Sequence, residues 1–294
     1  MPKNAQEYIT AFRNGENFTA PSVGLIIDGK PDDAALQLLG EELAVADASI
    51  RENIVLLLVE VGLQTDPSKA KGTAALRNLQ IIKWLAGPGI AKPDLGREAA
   101  MDALRKLVMP RDLAGYGDAF VKALEEAPAE EAFLLVAKAK PMKAKILVNR
   151  LAGLPKWEDK EAAKIARAAL GAEDIEDEFL AACEAAEDGE ELAQALGPLA
   201  LIGTPRCLKE IAKRMRTPLT IDRPGAFEKS VRLNVLEALL YNFPDQPVLY
   251  PNNINSAANY TLAEHFCTAT FDVEYDEPQP PFLTYRGYPI PLRK

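Results

Sequence analysis

The chain is poor in the side chains that most often carry chemistry. Its 294 residues hold one histidine, His265, with three cysteines and two tryptophans. A single imidazole excludes a zinc site built on two histidines and leaves one candidate for the base of a nucleophile–histidine pair. No nucleophile turn lies near His265, and Glu264-His265-Phe266-Cys267 is too short a run to wrap one ion. Gly29-Lys30 lacks the upstream glycine loop of a phosphate cradle. The chain is therefore expected to have no catalytic residues, no metal and no cofactor. Cys183, Cys207 and Cys267 are far apart and odd in number, which implies no disulfide framework.

Positive charge is also short. The formal net charge is −9 and the isoelectric point is near 5.0, the opposite of the surplus that neutralises phosphates, so no nucleic-acid partner is expected. Apolar runs are short, the six residues Ile54–Val59 among them, and a bilayer needs about twenty. The opening MPKNAQEYITAF has no apolar signal core, which makes the cytoplasm the default compartment, with no membrane partner.

What is abundant is helical periodicity. In ALGPLALIGTPRCLKEIAKRMR, residues 195–216, Leu196 and Leu199 continue the spacing of Leu192, and Gly203 then supplies a C-terminal stop. Thr204 is placed to cap the next helix, with Pro205 at its first position, where no donor is missed. Leu208, Ile211, Ala212 and Met215 form the apolar face behind it. A third helix turns Val231, Val235, Leu236, Leu239 and Leu240 inward. Ser49-Ile50-Arg51-Glu52 reads as a capping box ahead of Ile54, Leu57, Leu58 and Val61, which favours helix over strand there. Ala162, Ile165, Ala166 and Ala169 define another helix, and Ile175, Phe179, Leu180 and Cys183 another. Further helices are expected to begin near residues 5, 34, 75, 97, 116, 129, 142 and 254. The strand candidates are 22–28 and a small hairpin in the C-terminal tail. About thirteen short helices, paired at roughly thirty-residue spacing in the second half, predict an all-α solenoid.

LAQALGPLALIGTPRCLKEIAKRM resembles the bacterial HEAT-like repeat family, of the type found in phycobilisome lyases, in its Ala-Leu-Gly helix end, its Ile-Gly turn and its Pro-started helix. Residues 230–239 (SVRLNVLEAL) and 47–52 (DASIRE) are similar to that family's Val-Arg helix start, whereas 97–187 show few signature positions. Pro198 interrupts a helix that the family leaves continuous. The resemblance implies a right-handed α-solenoid of helical pairs over 1–270, followed by a tail of extended backbone over 271–294. It also implies buried arginines at Arg51 and Arg232 that hold loop carboxylates or carbonyls. Some HEAT-like proteins are DNA-repair glycosylases or bilin lyases and others are structural subunits of complexes. The reading favoured here is a non-catalytic scaffold that binds a protein or peptide.

Two surfaces are candidates for that partner. On the helix after Thr204, Arg206, Lys209, Lys213 and Arg216 share an arc of about 80° opposite the apolar face. They follow residues 168–205, which contain ten acidic side chains and no lysine or arginine, so the stripe either docks an acidic partner or complements its acidic neighbours. The inner helical face presents Asn53, Leu56 and Glu60 in one repeat. Near the C-terminus it presents Ser230, Asn234, Glu237 and Tyr241, a lining suited to peptide recognition. The tail from Phe271 holds five prolines and five aromatics in 24 residues. Phe282, Tyr285 and Tyr288 are expected to pack on the solenoid as a cap.

Overall fold

Side-chain caps start many of the helices. Asn4, Asp32, Asp94, Asp188 and Thr204 each accept a hydrogen bond from an amide of the first turn that they precede. The computed structural model describes residues 2–16, 23–66, 69–221, 229–250, 257–276, 284–285 and 288–289, with backbone alone at 229, 257–259 and the last two pairs. It is mostly helical. Contacts divide the chain into two units, Met1–Leu151 and Ala152–Lys294. That boundary has no counterpart in the sequence reading.

The first unit opens with α1 (Ala5–Arg13) and a hairpin of β1 (Ile26–Ile27) and β2 (Lys30–Pro31), which turns through Asp28 and Gly29 at positive φ. Next come α2 (Asp33–Val45), α3 (Ala48–Leu57), α4 (Thr73–Ala86) and α5 (Leu95–Leu107). α6 (Pro110–Leu113), α7 (Gly117–Glu126), α8 (Glu130–Ala139) and α9 (Lys145–Ala152) follow. α3 packs on α5, and α5 on α8. Ile54–Val59 is helical as expected, although its last turns widen into a π-helix at Leu58–Gly62. The expected capping box at Ser49 does not form. α3 begins two residues earlier, after Asp47, and no side chain caps it. The strand candidate 22–28 is extended only at β1, because Val23–Leu25 form a 3-10 turn.

The second unit contains α10 (Glu161–Ala169), α11 (Glu173–Glu184), α12 (Gly189–Ile202) and α13 (Pro205–Lys213). A hairpin of β3 (Thr220–Ile221) and β4 (Lys229–Ser230) leads to α14 (Arg232–Asn242) and α15 (Ala257–Phe271). The tail carries the expected hairpin, β5 (Thr284–Tyr285) paired with β6 (Tyr288–Pro289). α10 packs on α12, and α12 on α14. The turn at Gly203 is as read: the glycine is left-handed, Thr204 Oγ1 accepts from the Cys207 amide, and Pro205 is the first helical residue. Pro198 does not interrupt its helix. α12 runs through it, with Leu192, Leu196, Leu199 and Ile202 buried on both sides, enough to offset the roughly 3 kcal/mol that an internal proline costs.

Arg51 and Arg232 are both sealed from solvent. Arg51 donates from Nε to Asp94 Oδ2 at 2.7 Å and from its terminal nitrogens to the carbonyls of Leu43, Pro88 and Gly89. Asp94 Oδ1 in turn accepts from the Arg97 amide that starts α5. One guanidinium thus ties the end of α2, the turn after α4 and the cap of α5 to the start of α3. Arg232 donates to Ser230 Oγ and lies 4.8 Å from the centroid of the Tyr260 ring. Arg51 thus holds a carboxylate and loop carbonyls, as expected, whereas Arg232 meets a serine hydroxyl and an aromatic ring.

Candidate functional site

Among the sequence-derived candidates, the basic stripe is already partnered. Arg206 pairs with Asp177 at 2.6 Å, Lys209 approaches Asp272 at 3.9 Å and Lys213 pairs with Glu210 at 2.8 Å. Arg216 pairs with the buried Glu264, donates to the Tyr275 carbonyl and lies 5.2 Å from the Tyr275 ring centroid. Only Arg206 reaches back to the acidic helices. The others are neutralised by their own helix, by α15 or by the segment after it.

The inner-face residues are not brought together as one exposed lining. Ser230 is buried and its hydroxyl accepts from Arg232. Asn234 and Tyr241 are half-buried, the Asn234 Oδ1 atom lies out of solvent, and Glu237 is exposed. In the first unit Leu56 and Glu60 are exposed and Asn53 is half-buried. His265 faces solvent on α15 while Glu264 and Cys267 are buried, so that run does not converge on an ion. Burial pushes the Cys207 thiol up to about 11 and the Cys267 thiol up to about 12, out of the nucleophilic range at neutral pH.

The start of the tail docks on the second unit. Val273 is buried, and Tyr275 donates its hydroxyl to the Ala212 carbonyl at 2.8 Å. Phe282 and the side chains of Tyr285 and Tyr288, the expected cap, lie outside the described residues.

A different surface stands out, one not found by reading the sequence. In the first unit α2 and α4 lie side by side and run in the same direction, as two cross-contacts fix: Asp33 pairs with Arg77, and Gly40 meets the ring of Trp84. Gly40 is the reason the helices approach so closely, because a Cβ at this position would overlap the indole. Between them runs a groove of about 240 Å³ with the buried Leu36 and Trp84 at its base, Leu76, Gln37 and the half-buried Gln80 above them, and the paired Asp33 and Arg77 also in its lining. On α4, Leu76 on the groove wall is 68% exposed, and Leu79, about 60° round the helix from it, is 53% exposed. An apolar base with an aliphatic wall left in water suits a surface that a partner covers.

Two signals in the sequence point to this groove. One is a glycine in the middle of a helix, Gly40. The other is the spacing of Thr73, Leu76, Gln80 and Trp84, which puts one apolar-to-polar stripe on α4 apart from its buried face at Ile81, Ile82 and Leu85. Among the described residues no helix is long and apolar enough to cross a membrane, and no group of three or more metal-ligating side chains is assembled. Comparison with known protein families, with characterised proteins and with solved structures finds no match.

Proposed function

We propose that the protein is a cytoplasmic, non-catalytic scaffold of HEAT-like helical pairs that binds another protein through the α2–α4 groove. The observation that carries this reading is the groove itself: an apolar base at Leu36 and Trp84, neutral amides at Gln37 and Gln80, and an aliphatic wall at Leu76 left in water. Such a surface rewards burial of a partner's apolar side chains, at about 25 cal/mol per Å² removed from water. Its polar lining is the amides Gln37 and Gln80 with Thr73, and the one acid and base, Asp33 and Arg77, neutralise each other. The next-but-one packing of α3 on α5 in one unit, and of α10 on α12 and α12 on α14 in the other, supports stacked helical pairs within each unit. The basic stripe is set aside as a docking surface because each of its four cations already faces a carboxylate.

Purification of the full chain from its own host with its bound partners tests the reading. Leu76→Asp with Leu79→Asp places charge on two exposed positions and leaves the buried face of α4 intact. The doubly substituted protein is expected to melt like the parent and to lose its bound partner. Retention of the same partner in the same yield overturns the proposal.

A further inference from the structure

The charges flanking the groove indicate what fits it. α2 carries Asp33, Glu41 and Glu42 and no lysine or arginine, whereas α4 carries Arg77 and Lys83 and no aspartate or glutamate. Asp33 and Arg77 bridge the two helices and close one end. Glu42 is taken up by Arg13. Beyond that closed end, at the level of Trp84, Glu41 stands exposed on the α2 shoulder and Lys83 stands exposed on the α4 shoulder. The groove is therefore apolar along its base, acidic on one rim and basic on the other.

Building on the reading above, we propose that its occupant is an amphipathic helix of a partner protein, with an aliphatic stripe flanked by basic residues on one side and acidic residues on the other. A helix fits better than a strand, because the walls are helices whose backbone groups are already paired and offer no edge to extend. The ridges that line the groove recur at helical spacing, Leu36 and Gly40 on one side and Leu76, Gln80 and Trp84 on the other, which matches the side-chain rows of a third helix laid between two. The opposed rims set the direction of docking: the basic flank of the incoming helix lies along Glu41 and its acidic flank along Lys83. A partner with like charges on both flanks meets one repulsive rim whichever way it lies.

Trp84 supplies the readout. The full-length protein with Trp157→Phe has Trp84 as its only indole, and its fluorescence is titrated with three synthetic helical peptides that share one leucine stripe. One peptide carries lysine on one flank and glutamate on the other, one has lysine on both and one has glutamate on both. A fourth peptide of the mixed composition carries prolines that prevent a helix. The mixed helix is expected to shift Trp84 emission and to bind about threefold or more tightly than either like-charged helix. In Glu41→Lys the preference moves to the glutamate-flanked helix, and in Lys83→Glu to the lysine-flanked one. Equal binding of the three helices overturns the partner chemistry but leaves a protein-binding groove standing. Equal binding of the proline peptide overturns the helical occupant. No response of Trp84 to any peptide overturns the groove reading itself. A concentration-dependent dimer that Leu76→Asp with Leu79→Asp dissolves makes the occupant a second copy of this chain, and also overturns the proposal.

Discussion

Replacing Arg51 with methionine tests how the first unit is held together. The substitution keeps most of the volume and removes one buried charge with four hydrogen bonds, to Asp94 Oδ2 and to the carbonyls of Leu43, Pro88 and Gly89. Each carbonyl left without a donor costs about 1 kcal/mol, and breaking a buried ion pair from one side costs about 3–5 kcal/mol in all. The side chain of Asp94 is 11% exposed and still caps α5 through the Arg97 amide, so its carboxylate is partly rescued by water. About 4 kcal/mol is therefore expected. Asp94→Ala loses the same ion pair and a helix cap, and is expected to cost about as much. The double variant should cost 1–3 kcal/mol less than the sum of the two, since the interaction can be lost only once. Urea unfolding followed by Trp84 emission in a Trp157→Phe background reads the first unit alone, which matters because a chain of two units is not assured of a single transition. A loss below about 1 kcal/mol for Arg51→Met, or strict additivity of the pair, would refute the reasoning.

The remaining predictions are briefer. Gly40→Ala should lower stability by about 1–3 kcal/mol and shift Trp84 emission in the folded state, because the methyl overlaps the indole; an alanine that stabilises, as helix propensity alone expects, would contradict the close approach. Lys138 is buried against the carbonyls of Leu104 and Arg105, and burial, helped by Arg105, pushes its ammonium down to about 7 from an ordinary value of 10.5. Below pH 7 both states hold this proton and the folded state bears the full cost of burying the charge, at most ~5 kcal/mol; between pH 7 and 10.5 the unfolded chain holds more protons, so stability should rise with pH. Lys138→Met should flatten that rise, and a parallel pH profile in chemical unfolding would refute it. Lys140 and Asp272 end their helices in the left-handed region, at φ 48° and 54°, so glycine at either site should raise the melting temperature, by a gain of up to about 1 kcal/mol.

The sequence made helices legible wherever a local signal sufficed. The stop at Gly203, the cap at Thr204 and the start at Pro205 involve neighbouring backbone groups, and all three hold. The burial of Arg51 and Arg232 was expected from the family resemblance, but their partners were not legible, because the carbonyls that Arg51 binds and the Tyr260 ring beside Arg232 come from elsewhere in the chain. Ser49 misled because a capping motif competes with the residue just ahead of it, and α3 starts after Asp47 instead. Pro198 misled because a local penalty was outweighed by apolar packing on either side. The partners of the stripe from Arg206 to Arg216 were not legible because two of its carboxylates lie far off in sequence, as Asp272 and Glu264 do for Lys209 and Arg216. The groove escaped notice for the same reason. Its two walls are separated by α3, and only their alignment through Gly40 and Trp84 brings Leu36, Leu76 and Trp84 into one surface.

The account rests most heavily on that groove being a seat for a partner's helix. A photo-crosslinking residue in place of Gln80, in the full chain expressed in its own host, tests this directly when the crosslinked residues of the partner are mapped by mass spectrometry. The account predicts crosslinks to one segment of one partner, recurring at three- and four-residue spacing, and none from the same probe at the exposed Glu125. Crosslinks no stronger at Gln80 than at Glu125, or scattered over many proteins without helical spacing, would contradict it.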